Sequence, residues 1–299
     1  MKKLLTSLLF FFQIVLLFGE ERIISLSHFT TAILVELGQE DKIVARGWER
    51  GNDFSEEIQI KLKDIPKISD GVPTKENIYS YSPTLLIGWK SAFTSTNLGT
   101  KEQLAKNGIE IFYFESASSN GNIETFYEDL RKLGNILNIQ DKIEKKITEI
   151  NKKIESLEKK KAETIIFLSN VDQTPSVIGG GGLLEFLIEK SGYINIFKDV
   201  KRNYFNSNWE NIVDAEIDNV VILASNEKEF IKKYKKILRN KYFVEKNAMK
   251  NKNVFYLNYM YTAPNLELGD LVIKLNKKEL KRAEEILERG NNGKQDKKL

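Results

Sequence analysis

The sequence holds one histidine and no cysteine, so few side chains could coordinate a metal or act as a nucleophile. His28 comes just after the first predicted strand, where open α/β sheets collect ligands. Its imidazole could face a binding site or coordinate a metal ion, or it could be a helix-start histidine bonded to backbone. Aromatic residues follow other predicted strands in the same way: Trp48, Trp89, Phe93, Tyr259 and Tyr261. Together they predict an aromatic-lined cleft for a bulky ligand, although each alone is more often structural.

Motifs of catalysis are scarce. The sequence contains no HExxH, GxSxG or Walker loop. Carboxylates are plentiful, so an acid–base pair remains open. The glycines at 179–182 precede a predicted helix, and their amides could receive an anion. They lie well beyond their strand, unlike a dinucleotide fingerprint, which favours a flexible loop with a helix start.

The amino-acid composition limits the classes of protein to which this chain could belong. The chain has 299 residues, of which 41% are hydrophobic, enough for one large or two modest domains. Lys and Arg total 46 against 42 Asp and Glu, giving a net charge of +4 that does not indicate nucleic-acid binding. The basic stretches KKIESLEKKK and KKYKKILRNK have helical apolar spacing and are interpreted as solvated helix faces.

The N-terminus resembles a signal peptide, predicted to span residues 1–19. Lys2 and Lys3 form a positive region, and an apolar stretch at 4–18 is too short for a comfortable membrane span. The mature chain should begin near Glu20 or Glu21, with an uncleaved anchor as the alternative. Without cysteine, an exported chain has no disulfide to form and no site for an N-terminal lipid, which favours a soluble periplasmic protein.

Apolar runs alternate with helical patterns along the rest of the chain. This alternation predicts an α/β fold with mainly parallel sheets covered by helices. The predicted strands lie at 22–26, 42–45, 84–87, 110–114, 164–168, 219–223 and 253–257. The predicted layout is an N-terminal lobe at 20–139, a connecting helix at 140–161, a C-terminal lobe at 162–289 and a disordered tail at 290–299.

The connecting helix shows a single apolar stripe. Isoleucine and leucine recur at alternating steps of four and three: Ile143, Ile147, Ile150, Ile154 and Leu157. About 20 residues at a rise of 1.5 Å would span ~30 Å. A dimeric coiled coil is the alternative, but the repeat is short for one. The pattern therefore favours a strut between two Rossmann-like lobes.

A short sequence repeat occurs in both halves of the chain. The tripeptide Glu-Asn-Ile occurs at 76–78 and again at 210–212. Each copy opens a short predicted helix that is followed by a turn and a buried strand. The matching surroundings indicate two related supersecondary units.

Five segments, in order, resemble the periplasmic substrate-binding proteins for iron complexes and cobalamin. They are RIISLSHFTTAILVELGQEDKIVARG, KENIYSYSPTLLIGW, GTKEQLAKNGIEIFYFE, GGGGLLEFLIEKSGYINIF and NWENIVDAEIDNVVIL. The chain has Ala32 where that family usually has glutamate, and Thr84 where it has aspartate. The resemblance runs from about residue 22 to 263.

The resemblance implies two α/β lobes joined by one long helix, with a ligand held between the lobes. It implies that Glu76 and Glu210 dock onto a membrane transporter, and that Trp89 contacts ligand. On this basis the chain is interpreted as the monomeric substrate-binding component of an ABC importer that works with a permease dimer and catalyses no reaction. An exported enzyme using the same cleft, or an exported adhesion or scaffold protein, are the alternatives.

The ligand is expected to be an iron–siderophore, haem or cobalamin, without a resident cofactor. Haem usually needs a Tyr, His or Met ligand, whereas anionic siderophores need Arg or Lys. Candidates exist for each and remain open: His28, Tyr259, Met260 and Arg46.

Overall fold

The computed structural model describes residues 21–49 and 54–295, so the predicted signal peptide lies outside the described residues. The described chain divides into two compact units. Unit 1 comprises residues 21–49 and 59–112, and unit 2 comprises 54–58 and 113–295. The boundary between Phe112 and Tyr113 is earlier than the predicted one at residue 139, because the next long helix packs on helices of unit 2.

Unit 1 is built on a four-stranded sheet. Its strands are β1 (Ile23–Leu26), β2 (Ile43–Arg46), β3 (Leu85–Gly88) and β4 (Glu110–Tyr113). The strand order is β2-β1-β3-β4, and β1 runs parallel to both β2 and β3. Every residue of β1 and β3 is buried, as expected where helices cover both faces of a parallel sheet.

Capping residues mark the ends of several helices in this part of the chain. The helices are α1 (His28–Glu36), α2 (Glu56–Lys61), α3 (Lys75–Tyr79) and α4 (Lys101–Ala105). The side chains of Ser27, Thr74 and Thr100 cap the amino ends of α1, α3 and α4. Gly38 and Gly108 lie just past helix ends with φ of 61° and 72°, the left-handed conformation that glycine adopts at C-terminal caps.

Unit 2 carries a larger, mixed sheet. Its strands are β5 (Glu163–Asn170), β6 (Ser176–Ile178), β7 (Tyr193–Asn195), β8 (Tyr204–Asn206), β9 (Asn219–Ala224) and β10 (Val254–Asn258). The order is β10-β9-β5-β6-β8, with β7 also paired to β5. Strands β10, β9, β5 and β7 are parallel neighbours, whereas β6 and β8 add antiparallel pairs. The predicted α/β class with mainly parallel sheets is confirmed.

Helices flank this sheet. They are α5 (Ile123–Leu137), α6 (Gln140–Glu155), α7 (Leu183–Lys190), α8 (Trp209–Val213), α9 (Glu227–Ile237), α10 (Asn247–Lys250), α11 (Leu268–Asn276) and α12 (Ala283–Gln295). The core packs around β9, whose six residues are all buried, with Phe230 and Ile237 of α9 fully buried against it. Among the described residues, none of the helices has the length and apolar character needed to cross a membrane.

The predicted connecting helix is α6, and it is shorter than expected. It ends at Glu155 with Ser156 as its cap, so its 16 residues span about 24 Å. The residues at 158–162 are charged or exposed and cannot extend the apolar stripe. Helix α6 packs against α5 and α11, and a Cβ on Gly134 of α5 would lie 2.8 Å from the side chain of Ile143.

At the C-terminal end, α11 and α12 are separated by a turn in which Lys278 adopts a φ of 55°. The disordered tail predicted from residue 290 is wrong for 290–295, since α12 continues to Gln295. The buried residues Ala283 and Ile286 anchor the first turns of α12. Extending a helix that has already formed is easier than starting one, because each added residue gains one hydrogen bond.

Candidate functional site: the strand ends of each unit

The parallel strands of unit 1 bring three predicted site residues to one edge. β1, β2 and β3 are adjacent and parallel, so their carboxyl ends lie at the same edge of the sheet. His28 follows β1 by one residue, Trp48 follows β2 by one residue, and Trp89 follows β3 directly. This edge is where open α/β sheets bind ligands.

Gly88 explains why β3 can end on a large aromatic. A Cβ at this position would lie 2.6 Å from the Cβ of Leu26 on β1. Glycine therefore allows the two strand ends to remain paired, as Leu26 with Gly88, immediately before Trp89 leaves the sheet.

His28, Phe29 and Trp89 form an edge cluster. The rings of Trp89 and Phe29 meet edge to face, with centroids 4.7 Å apart. The imidazole of His28 stands 6.3 Å from Trp89 and 6.1 Å from Phe29, again edge to face. Phe29 is buried, whereas His28 and Trp89 remain partly exposed. The cluster thus has a core side, supplied by Phe29, and an open side at the strand ends.

His28 is an uncharged group in this setting. Burial lowers its pKa from 6.5 to about 4, so the imidazole is neutral at physiological pH. Its Nε2 is buried and has no hydrogen-bond partner among the described residues. A neutral imidazole nitrogen can coordinate a metal or bond to a ligand, so the geometry keeps the predicted roles of His28 available.

The lowered pKa of His28 predicts that the stability of the fold depends on pH. The folded pKa lies below the unfolded value, so the unfolded chain takes up a proton first as the pH falls from about 7 to about 4. Folding should lose up to about 3 kcal/mol over that window. Urea unfolding of the wild type and of His28→Gln at several pH values measures the difference, and NMR of the single histidine measures the pKa. The same pH dependence in both proteins would contradict the assignment.

Trp48 is held in an unusual backbone conformation. Its φ of 55° is rare for a bulky residue and is a place where strain is stored. Its amide donates to the carbonyl of Ser69 at 3.1 Å, which fixes the turn. The side chain is partly exposed at the end of β2, as expected for a ligand contact.

The sequence did not reveal a buried carboxylate beside Trp48. Glu49 is 1% exposed, and its Oε1 accepts a hydrogen bond from the Thr31 hydroxyl at 2.6 Å. Its Oε2 accepts from Nη1 of Arg46. Burial raises the pKa of Glu49, while the bonds from Thr31 and Arg46 oppose that rise. Arg46, a candidate for binding anionic siderophores, is therefore already committed in part to Glu49.

Phe93 differs from the other predicted aromatics. It is 8% exposed and ends a short 3-10 turn, Lys90–Ala92, that follows Trp89. Its side chain is therefore largely buried, in contrast to the partly exposed Trp89. Only its margin is open to a ligand, so Phe93 is mainly a core residue.

The parallel strands of unit 2 end at a second edge. β5, β9 and β10 are adjacent and parallel, and the chain leaves β10 through a 3-10 turn, Tyr259–Thr262. This edge turn contains the predicted Tyr259 and Tyr261, both partly buried. The Tyr259 hydroxyl donates to the carbonyl of Ser169 at 2.6 Å, and Thr262 is bonded to the hydroxyl of Tyr204 at 2.7 Å.

A polar cavity of about 420 Å³ lies beside Tyr259. Its walls come from the end of β5 and from one face of α9. Asp172, Glu229 and three lysines of α9 line it, so charges of both signs are present. The three lysines lie in the stretch KKYKKILRNK, which was interpreted as a solvated helix face, but the side chain of Lys233 is only 12% exposed.

The four glycines do not form an anion cradle. The amides of Gly179, Gly180 and Gly181 donate to backbone carbonyls of the segment 198–203. A Cβ on Gly180 would lie 1.6 Å from the carbonyl oxygen of Lys198. The predicted flexible loop is instead a close backbone crossing, and its donors are used within the fold.

Glu76 and Glu210 occupy equivalent positions in matched elements. Each is exposed in the first turn of a five-residue helix, α3 or α8, whose cap bonds the amide three residues on. In each helix the isoleucine two residues later, Ile78 or Ile212, is buried, and a buried strand follows. The repeated Glu-Asn-Ile sequence therefore marks a repeated structural unit, with one copy in each half of the chain.

Comparison with known proteins identifies the family. A family model described as "Periplasmic binding protein" matches residues 23–260. The chain belongs to this periplasmic binding protein family. Membership implies a location in the periplasm or outside the cell, and the members of the family are binding proteins. No curated protein sequence matches the chain.

Solved structures of periplasmic binding proteins share the fold. One from Veillonella parvula is 20% identical with a TM-score of 0.78, covering 86% of this chain and 90% of that one. An ABC-type Fe3+-hydroxamate transport protein from Saccharomonospora viridis is 18% identical, with a TM-score of 0.71 and coverage of 86% and 92%. The heme-binding HutB of Vibrio cholerae is 16% identical, with a TM-score of 0.72 and coverage of 87% and 98%.

Proposed function

We propose that this periplasmic binding protein is the substrate-binding component of an ABC importer. The protein would act as a monomer in the periplasm. It captures either an iron complex (a siderophore or haem) or cobalamin, and delivers this ligand to a permease dimer. The family match supports binding without catalysis, and the similar structures include heme-binding and Fe3+-hydroxamate transport proteins. Among the described residues, no group of three or more His, Asp or Glu side chains could hold a bare metal ion.

The observation that carries the proposal is the edge cluster. Trp89 rests on the buried Phe29 and presents its other side at the strand ends, next to the unpartnered nitrogen of His28. An indole fixed in this way offers a broad apolar surface at little entropic cost, which suits a macrocycle or the aromatic arms of a siderophore. Trp48 follows β2, on the other side of β1, and in this proposal it would add to that surface.

The test is a titration of the purified protein with hemin, a ferric hydroxamate siderophore and cyanocobalamin. Saturable binding of one of them, with quenching of tryptophan fluorescence and no turnover of the ligand, is expected. Failure of all three to bind, or conversion of a bound compound to product, would overturn the proposal.

Docking to the permease should depend on Glu76 and Glu210. Charges at such an interface chiefly set encounter and register, so Glu76→Lys and Glu210→Lys should each reduce uptake about ten-fold while ligand affinity is unchanged. Glu102→Lys is the matched control, because Glu102 is exposed at the same position of α4 with the same type of cap. Uptake of labelled ligand by cells carrying each variant is the measurement. Normal uptake in the double variant would contradict the assignment.

A further inference from the structure

A single cation ties together the ends of three adjacent strands in unit 2. Lys233 projects from α9 with its side chain 12% exposed. Its Nζ donates to the carbonyls of Ser169, at the end of β5, and Leu223, at the end of β9, at 2.8 and 2.7 Å. The same Nζ donates to the hydroxyl of Tyr259, the first residue after β10, at 2.9 Å. One ammonium group therefore contacts all three parallel strand ends.

The charge of Lys233 is fully used within the protein. Glu229, one turn earlier on α9, places Oε1 2.8 Å from the Nζ and accepts from the amide of Ser225 at 2.8 Å through Oε2. Four acceptors thus surround a group with three N–H donors. A buried ammonium with this many partners is well satisfied, and it has no donor left for a ligand. Lys233 must therefore influence any ligand through the residues that it holds.

Tyr259 is the residue that Lys233 holds. Its hydroxyl is fixed from two sides, because it donates to Ser169 and accepts from Lys233. Tyr259 opens the edge turn, and the next amide, of Met260, is held by the side chain of Asn258 at 2.8 Å. Removing the ammonium would leave the tyrosine hydroxyl bonded to Ser169 alone, through its carbonyl and its hydroxyl. It would also leave the Glu229 carboxylate without its cationic partner.

We propose that Lys233 is a positioning residue for ligand binding, which fixes Tyr259 and the edge turn in a single orientation at the strand ends of unit 2. The inference rests on the proposed function, because the edge turn matters only if ligand is held at the strand ends. A preorganised aromatic contributes more to affinity than a mobile one, since binding need not order it.

The first experiment measures positioning without any ligand. Hydrogen–deuterium exchange of Lys233→Met should show faster uptake in peptides that contain the edge turn, Tyr259–Thr262, than the wild type shows. Lys235→Met is the matched control, because Lys235 lies on the same helix, is exposed, and is not one of the residues that line the cavity beside Tyr259. Unchanged uptake in Lys233→Met, or an equal increase in both variants, would overturn the proposal.

The second experiment measures affinity for whichever of hemin, ferric hydroxamate or cyanocobalamin the wild type binds. Lys233→Met should weaken binding about ten-fold, and Lys235→Met should not. Tyr259→Phe keeps the ring and removes the hydroxyl, so it should weaken binding by a similar factor. This variant replaces Lys233→Met in the test if Lys233→Met folds poorly. The double variant should bind no more weakly than Lys233→Met, because both changes break one link. Additive losses would show that Lys233 acts independently of Tyr259 and would overturn the proposal.

The two hypotheses fail in different ways. Wild-type affinity in Lys233→Met, with the wild type binding ligand, would reject the positioning role and leave the proposed function intact. A wild type that binds none of the three ligands would reject the proposed function, and the exchange measurement would still decide whether Lys233 holds the edge turn.

Discussion

Truncation of Trp89 to alanine should weaken ligand binding by about 1–3 kcal/mol, the range for a central aromatic contact. The melting temperature should change little, because the indole is partly exposed and covers only one face of Phe29. Calorimetric or fluorescence titration gives the affinity, and thermal unfolding gives the stability. Both are measured on the same preparation, with the ligand that the wild type binds.

Tyr242→Ala is the control for loss of an aromatic side chain. Tyr242 is 63% exposed in unit 2 and takes no part in either strand-end edge, so its removal should change neither quantity. If Trp89 were instead a core residue, its truncation would cost about 3–5 kcal/mol of stability. A destabilised Trp89→Ala protein with wild-type affinity would end its assignment as a ligand platform.

Gly180→Ala should be among the most damaging small substitutions in the chain. The new Cβ would lie 1.6 Å from the carbonyl oxygen and 2.3 Å from the carbonyl carbon of Lys198, and no side-chain rotation relieves a clash with backbone. The Gly180 amide also donates to Val200 at 2.7 Å, so moving the loop away breaks this bond. We expect a loss of about 3 kcal/mol or more in the free energy of unfolding.

Gly71→Ala is the matched control for Gly180→Ala. A Cβ on Gly71 would have nothing within 4 Å, so this variant should be neutral or slightly stabilised by reduced freedom of the unfolded chain. Urea unfolding of both variants is the measurement. Equal stability of the two would contradict the backbone crossing at residues 179–182.

Much of the fold follows from the sequence because its parallel strands are short, apolar and bounded by caps. The seven predicted strands all appear, and the positions of His28, Trp48 and Trp89 at strand ends follow from them. Strands β6, β7 and β8 were not predicted, since three residues are too few to show a period. Helix α5 was also missed, although its Asn122 cap and amphipathic spacing were visible signals.

The site was only partly predictable, because burial and partners depend on residues far apart in the chain. The carboxylate of Glu49 is enclosed by Thr31, and the hydroxyl of Tyr259 is held by Lys233; neither pair leaves a local pattern. Phe93 follows the same strand as Trp89, but it is only 8% exposed, a difference in burial that the sequence did not indicate. The roles of the aromatic residues and of Glu76 and Glu210 therefore remain predictions until ligand and transporter are tested.

The parallel sheets have a kinetic consequence. Ile23 pairs with both Ile43 and Leu85, and Ile165 pairs with Asn219, so the central strands of both units join distant parts of the chain. No such pair can close before a long intervening loop has been ordered, which makes folding slow relative to helical proteins of similar size. A chain that folds slowly remains unfolded long enough to be threaded through a secretion channel. The arrangement that builds the strand-end edges would thus also suit export before folding.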